Sequence, residues 1–248
     1  MIDRRAWFLL AALTVAAALS ADLALEIPPV PVSVNIAGQP VAFVISGTVS
    51  TSQPFNLNLH TDLSDFQNHL TSIMQTELNQ SNHCGERISI EQATLEPAAP
   101  TGHLNVQLHF EKWACLKVFG KENAKRLIGG NGTVQVILTP RVEDGKAVRL
   151  DAEVGKIDAD GSLGEVLRSG SLGVAVRDKI RAALLKAIEK STGLEAAIPE
   201  QARPFVTIQS AAFADAGSGR LSLNLAGQLL IPSAQVSAVL DQFRKRAK

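Results

Sequence analysis

The sequence contains no tyrosine, and aromatic residues make up only 4% of its 248 positions. Proteins that hold single-stranded nucleic acid stack the bases on aromatic side chains, and few such side chains are present here. The charge is also balanced, with 24 basic and 24 acidic side chains. A chain without a net positive field has little attraction for a phosphate backbone. The composition therefore argues against nucleic acid as a partner.

The sequence also lacks an apolar run of the roughly twenty residues that a membrane-spanning helix needs. The nearest approach is at the N-terminus, where two arginines precede an apolar run from Ala6 to Leu19. Small residues at Ala18 and Ser20 fit a cleavage site before Ala21. We therefore predict that residues 1–20 are a signal peptide and that the chain is exported, to the periplasm of a bacterium. An uncleaved N-terminal membrane anchor is the alternative.

Cysteine is scarce as well, with one residue at Cys84 and one at Cys115. In an exported chain an even number of cysteines indicates a disulfide. Closing a loop of about thirty residues would stabilise the fold by roughly 3–4 kcal/mol on the chain-entropy model. The alternative is a catalytic thiol at Cys84 beside His83, but neighbours on an extended chain point to opposite faces. We predict the disulfide.

The sequence segments that resemble metal-binding or catalytic motifs are incomplete. The segment "DADG" resembles the opening of a calcium loop, but an EF-hand needs glycine at its sixth position and an acid at its twelfth. Here Gly161 is fourth and Ser169 is twelfth. The segment "SGSLG" lacks the G-x-S-x-G spacing of a nucleophile elbow, so Ser171 is predicted to cap a helix.

The five histidines show no spacing typical of a metal site. We therefore predict no catalytic residue, no metal and no cofactor, and a chain that is not an enzyme. A hydrolase that uses Ser171 or His83 is the remaining catalytic alternative.

Alternating apolar and polar residues dominate the chain and predict antiparallel strands. A hairpin around "AGQP" comes first, and a short strand from Phe55 to Leu59 follows. Four long strands come after Ile88, with "GGNG" and "EDGK" as turns between them. Changes of apolar parity after Ile90 and before Trp113 indicate bulges. A final hairpin turns at "GSG".

Two segments have apolar residues at intervals of three and four, as an amphipathic helix requires. The first runs from Leu63 to Leu78, with Thr61 as its capping candidate, and the second occupies approximately Leu172 to Lys190. No linker divides the chain, so residues 21–248 are predicted to form a single domain. The fold class is α+β, with amphipathic helices packed on one face of a long antiparallel sheet.

Particular phrases resemble a known superfamily. "FNLNLHTDLSDFQNHLTSIMQTEL" resembles the start of bacterial members of the tubular lipid-binding (TULIP) group. "VQVILTPRVEDGKAVRLDAEVGKID" followed by "LGVAVRDKIRAALLKAIEK" resembles their paired long strands that run into a second helix. The superfamily includes the bactericidal/permeability-increasing proteins, the SMP domains and bacterial relatives of unknown function. The resemblance spans roughly Phe55 to Ile198 and includes no catalytic or ligand signature.

The resemblance implies a long curved sheet wrapped around the helices, with a lipid or other hydrophobic molecule held between them. It also implies a non-enzymatic lipid-binding or lipid-transfer protein of the bacterial envelope that contacts membranes transiently. An envelope structural or protein-interaction module with a fully packed core is the alternative. The residues expected to line the lipid site belong to the apolar faces of the helices and strands: Leu63, Phe66, Leu70, Ile73, Met74, Leu104, Val106, Leu108, Val134, Val136, Val148, Leu150, Ile180 and Leu184.

Overall fold

A computed structural model gives the fold. It describes residues 24–51, 53–79, 84–118, 121–159 and 202–238, together with the single positions 164, 174, 178, 182 and 241. The described strands are β1 (Ala24–Ile36), β2 (Gln39–Ser50), β3 (Phe55–Asp62), β4 (Gly85–Ala98), β5 (Thr101–Val118), β6 (Lys121–Glu143), β7 (Ala147–Ala159), β8 (Val206–Asp215) and β9 (Leu221–Leu229). The helix α1 spans Ser64–Leu78, between β3 and β4.

The strands form two antiparallel sheets. The four-stranded sheet is a meander in the order β4-β5-β6-β7, and the five-stranded sheet has the order β1-β2-β3-β9-β8. The final hairpin reaches the N-terminal strands because β9 pairs with β3 from Phe55 opposite Leu229 to Asp62 opposite Ser222. The predicted antiparallel, sheet-rich fold is therefore confirmed. The division into two sheets goes beyond the predicted single sheet.

Two predicted hairpin turns are confirmed. The turn between β1 and β2 places Ala37 at φ 51° and Gly38 at φ 81°, the left-handed conformation of a tight two-residue connection. The side chain of Asn35 supports it, since its Oδ1 accepts a hydrogen bond of 3.0 Å from the Gly38 amide. The turn between β6 and β7 likewise has positive φ at Asp144 and Gly145.

The predicted turn at "GGNG" is wrong, because residues 129–132 lie inside the continuous strand β6. Gly130 pairs with Phe110 of β5, and Gly132 pairs with Leu108. A Cβ on Gly132 would lie 3.2 Å from the Asp158 carbonyl oxygen of β7. Glycine is needed here because the strands approach each other closely. Tight turns also require glycine, so the sequence pattern does not distinguish the two cases.

The two predicted bulges have different origins. The extra residue between Ile90 and Gln92 lies on β4 itself, as the change of parity indicated. Before Trp113 the extra residue lies on the partner strand, since Lys112 pairs with Ile128 while Trp113 pairs with Arg126. The strand β5 keeps its alternation through this point, and β6 accommodates the irregularity.

The helix α1 begins at Ser64, and Thr61 does not cap it. Thr61 is a buried residue of β3. The carboxylate of Asp62 accepts hydrogen bonds from the Ser64 hydroxyl at 2.5 Å and the Ser64 amide at 2.8 Å. The Ser64 hydroxyl lowers the pKa of Asp62, and this outweighs the partial burial that raises it. Asp62 thus takes the role predicted for Thr61.

The second predicted helix lies almost wholly outside the described residues. Val174, Asp178 and Ala182 are helical. Ile180 and Leu184 belong to the part of the segment that is not described, and so does Ser171.

The apolar residues of the described ranges form two clusters. The first joins α1, the tip of the β1–β2 hairpin and one face of the four-stranded sheet. The second lies on the five-stranded sheet, and its buried members are Ile27, Val49, Phe55, Leu57, Leu59, Ala202, Leu225, Leu229 and Ile231. The five-stranded sheet contributes to both clusters, since Phe43, Phe213 and Leu221 belong to the first one.

Strand β8 joins the two sheets. It is an edge strand of the five-stranded sheet, and two of its amides donate to hairpin tips of the other sheet. The Ile208 amide donates to the Gly145 carbonyl at 2.7 Å, and the Phe213 amide donates to the Pro100 carbonyl at 2.9 Å. These bonds satisfy backbone groups of an edge that would otherwise be open to pairing.

Replacing Gly47 by alanine tests the packing of the five-stranded sheet. A Cβ at Gly47 of β2 would overlap the Asn58 carbonyl oxygen of β3. We expect Gly47→Ala to lower the free energy of unfolding by about 1–3 kcal/mol in urea titrations, as overpacking does. Gly155→Ala is the matched control, because its Cβ would lie at an ordinary 3.5 Å from Gln135. Equal stability of the two variants would contradict the packing described.

The pairing of Ser64 with Asp62 predicts a pH-dependent contribution to stability. A carboxyl whose folded pKa lies below its unfolded value stabilises the fold above that value, and the contribution is lost as pH falls through the folded pKa. The Asp62 pKa is lowered from 3.8, so the destabilisation by Ser64→Ala should be largest near neutral pH and shrink in acid. Urea unfolding of both proteins across this pH range measures the difference.

Ser72→Ala is the control for this pH series, because the Ser72 hydroxyl donates to the His69 carbonyl within α1. Its effect on the free energy of unfolding should not follow the titration of Asp62. A Ser64→Ala effect that stayed constant from neutral pH into acid would contradict the assignment.

Candidate ligand-binding interior

The first apolar cluster contains the face of α1 that the sequence predicted. The buried side chains Phe66, Leu70, Ile73, Met74 and Leu78 follow the helical period. They pack mainly towards β4 and β2. Their burial explains why α1 is helical, since an amphipathic segment is stabilised chiefly by packing its apolar face.

The opposite wall is the inner face of the four-stranded sheet, where register aligns apolar side chains in rows across the strands. One row joins Leu95, Leu104, Val136 and Val154. The next row joins the side chains Ala93, Val106, Val134 and Ile157. The β5 and β6 members of both rows are fully buried. The wall is therefore a continuous apolar surface that spans four strands.

Glycines interrupt two further rows of this wall. Leu108 of β5 faces Gly132, and Phe110 faces Gly130. On the far side of Gly132 the neighbour in β7 is the small residue Ala159. Because glycine has no side chain, β6 contributes only backbone to these two rows, beside two large apolar side chains.

Polar side chains on α1 form hydrogen bonds with the backbone of neighbouring strands and turns. The Gln67 amide nitrogen donates to the Leu95 carbonyl at 2.7 Å and to the Gly219 carbonyl at 3.0 Å. Its amide oxygen accepts from the Leu221 amide at 2.8 Å. One side chain thus connects α1 to both sheets, through β4 and through the β8–β9 hairpin.

Three more side chains at intervals of four continue this contact along the exposed edge of β4. The Thr71 hydroxyl donates to the Ala93 carbonyl at 3.1 Å and accepts from the Ala93 amide at 3.0 Å. Gln75 donates to the Ile90 carbonyl at 3.0 Å, and the Asn79 side chain accepts from the Ile90 amide at 2.7 Å. The side chains of α1 thereby satisfy backbone groups of β4 that no further strand pairs with in the described sheet.

The structure brings eleven of the predicted lining residues into one cluster. Ten are buried: Phe66, Leu70, Ile73, Met74, Leu104, Val106, Leu108, Val134, Val136 and Leu150. Leu63 is partly buried against them. Val148 instead packs against the second cluster, and Ile180 and Leu184 lie outside the described residues. Sequence periodicity did not single out Gly130 or the polar side chains of α1 that bond β4. Glycine is also typical of turns, and exposed polar residues are typical of any surface.

A cleft on the surface has a different character. It encloses about 510 Å³ between α1, β4 and the β8–β9 turn. Its lining includes Gln67, Asn68, Thr94, Glu96 and Asp215, and none of the predicted apolar lining residues. Ala93, Leu95 and Pro97 also line it, so the lining is of mixed polar and apolar character.

Titratable residues do not converge on the interior. Within the described ranges, the buried polar side chains are Thr61 and Ser222. His60 lies 2.8 Å from Asn224, and His109 lies 2.6 Å from Asn131; both histidines are partly exposed residues of strands. No group of three or more potential metal ligands occurs among the residues that the structure describes.

The predicted disulfide between Cys84 and Cys115 is confirmed, with its Cα atoms 5.6 Å apart. It ties the residue before β4 to the outer part of β5. Neither cysteine is a free thiol, so the alternative of a catalytic Cys84 is wrong. A disulfide is typical of an oxidising environment outside the cytosol.

A polar cluster on the outer face of β5 lies close to the disulfide. The Glu111 carboxylate accepts a hydrogen bond of 2.9 Å from the Trp113 indole and one of 3.1 Å from Arg126. The indole hydrogen bond lowers the pKa of Glu111, and His109 and Arg126 lower it further. Arg87 lies 5.1 Å from the centre of the Trp113 ring, in a cation–π arrangement.

Comparison with known proteins finds no matching family model, no matching curated protein and no matching solved structure. None of the helices in the described ranges combines the length and the apolar character needed to cross a membrane.

Replacing Thr71 by valine tests the attachment of α1 to β4. Valine keeps the shape of threonine but leaves the amide and carbonyl of Ala93 without the Thr71 hydroxyl. We expect Thr71→Val to lower the free energy of unfolding by about 1–3 kcal/mol, measured by urea denaturation.

Thr76→Val is the matched control, since the Thr76 hydroxyl donates to the Ser72 carbonyl inside the same helix. Its effect should stay within about 0.5 kcal/mol, as is usual for surface positions. A Thr71→Val variant as stable as this control would show that the bonds to β4 do not hold α1.

Proposed function

We propose that this chain is an exported, non-enzymatic protein that binds or transfers a lipid or another hydrophobic molecule in a bacterial envelope. The observation that carries the proposal is the attachment of α1. The helix is bonded along one edge of the four-stranded sheet, while an apolar wall extends across all four strands beneath it. The molecule would lie between α1 and this wall.

The two kinds of contact made by α1 would allow the interior to open. Hydrogen bonds to the β4 backbone are directional and hold one side of the helix at a fixed position. Apolar contacts are non-directional, so the opposite side can exchange protein side chains for hydrocarbon with little change in free energy. Met74 is a suitable contact, because its unbranched side chain adapts to irregular spaces.

The chemistry of the wall supports a hydrophobic ligand. The side chains of the first cluster are apolar, and no charged group is among the buried residues of the described ranges. An acyl chain gains about 0.8 kcal/mol for each methylene that leaves water. A polar head group would remain at the rim of the sheet.

The resemblance to the TULIP superfamily supports the same assignment. Long antiparallel strands, an amphipathic helix against their apolar face and a disulfide suited to an exported protein agree with it. On this proposal residues 21–248 form one domain that follows a cleaved signal peptide and works in the periplasm.

One observation favours the alternative of an envelope interaction module without a ligand. In the described ranges the lining side chains contact one another and are already shielded from water. Such a module would act through its surface. The presence or absence of bound lipid separates the two functions.

The test is to measure bound lipid. The protein is purified after export, extracted with organic solvent and analysed by mass spectrometry, and uptake of a fluorescent fatty acid is measured alongside. We expect about one lipid per chain or saturable uptake. If neither bound lipid nor saturable uptake is observed, lipid binding is ruled out and the interaction module is favoured.

A pair of variants locates the site. Val136→Phe adds bulk to the apolar wall beside Leu104, and Val49→Phe adds the same bulk to the second cluster. Both valines are fully buried, so both changes should reduce stability by a similar 1–3 kcal/mol or so. Only Val136→Phe should lower the amount of lipid bound per folded molecule. Equal loss in both variants would contradict this location.

A further inference from the structure

Strands β5 and β6 extend beyond the rest of their sheet. The first residue of β4, Gly85, pairs with Trp113, and the last residue of β7, Ala159, pairs with Gly132. Beyond Trp113 the described parts of β5 and β6 pair with each other as far as Val118 opposite Lys121. We call residues 113–118 and 121–127 the β5–β6 finger. At about 3.3 Å per residue it is roughly 17 Å long and extends past β4 and β7 of the described sheet.

The finger exposes large apolar side chains. Leu116 is 67% exposed and Leu127 is 59% exposed. Among the described residues only Val44, Val174 and Leu230 are also large, apolar and exposed, and they lie on other elements. Two leucines on one narrow projection are a local concentration of apolar surface, which indicates an interaction site more strongly than scattered single residues do.

The finger is also basic, although the whole chain is balanced. Residues 113–127 contain four basic side chains and one acidic side chain. Lys125 is exposed and pairs with Ala114. Leu116 is two residues further along β5, so it lies diagonally from Lys125 on the same face. Positive charge and apolar surface therefore occur together on this face.

The base of the finger is held firmly. The disulfide joins Cys115 to Cys84, and the Glu111 carboxylate bonds the Trp113 indole and Arg126. Because the base is already ordered, binding through the tip would cost little conformational entropy.

We propose that the β5–β6 finger docks the protein on the surface of an anionic phospholipid bilayer. Leu116 and Leu127 would enter the interfacial region, and Lys125 would lie among the phosphate groups. Basic residues beside apolar ones are the combination that binds anionic bilayers.

This docking site would serve the proposed lipid-binding function and rests on that function for its biological role. The observations that support the docking site do not depend on it. The face of β5 that carries Leu116 is the same face that carries the buried Leu108 and Phe110. Lys112 and Ala114 lie between them on this face, so the inner face of β5 continues from the interior to the finger and carries a basic side chain near the base of the finger. A lipid would be collected or delivered at the end of the sheet that meets the bilayer.

Vesicle flotation tests the proposal with protein purified after export. We expect binding to phosphatidylcholine vesicles that contain about 30% phosphatidylglycerol to be at least tenfold stronger than to phosphatidylcholine alone, and to weaken with salt. The double variant Leu116→Ser with Leu127→Ser should bind at least about tenfold more weakly. Lys125→Glu should bind at least about fivefold more weakly.

Two matched controls lie far from the finger. Leu230→Ser removes an equally exposed leucine beyond β9, and Lys146→Glu reverses an exposed lysine in the turn at the opposite end of β6. Neither should change vesicle binding by more than about twofold, as expected for sites outside the contact. Absence of binding to the anionic vesicles, or equal losses in finger and control variants, would overturn the proposal.

Lipid extraction separates the two proposals. Finger variants that lose vesicle binding should still contain the lipid found in the parent protein. If no lipid is found but the finger still binds anionic vesicles, the docking site stands and the interior function fails.

Discussion

The alignment of α1 along the edge of β4 is the contact on which the rest of the fold depends. Gln67 and Thr71 bond the backbone of β4, and Gln67 also reaches the β8–β9 hairpin. These bonds place the apolar face of α1 over the wall of the meander. They also close the edge of β4, which would otherwise offer unpaired amides and carbonyls to other chains. One helix therefore organises both sheets and protects one edge.

The same principle explains how β8 is used. Its amides bond the hairpin tips of the four-stranded sheet, so the two sheets meet through backbone groups at one end. The opposite end of the meander has no comparable contact among the described residues, and there β5 and β6 project as a finger. Satisfying the edge at one end leaves the other end available for binding. The proposed interior and the proposed docking site share the inner face of β5.

Local features of this fold were predictable from the sequence because they depend on short-range chemistry. The period of α1, the turns at Gly38 and Gly145 and the disulfide all follow from residue type and spacing. Predictions failed where one residue type serves two purposes. The "GGNG" segment at residues 129–132 predicted a turn, but its glycines allow close strand packing. Thr61 predicted a cap, although Asp62 beside it bonds Ser64.

The sequence by itself determined the antiparallel strands, the first helix and the apolar faces, since alternation and helical period are visible in any stretch of chain. Only the tertiary structure decided that β9 returns to β3, that Val148 joins the second cluster and that Leu116 is exposed. Alternation tells which residues share a face of a strand but not what that face meets. Pairing between distant strands depends on loop closure and packing across the whole chain, which no local pattern records.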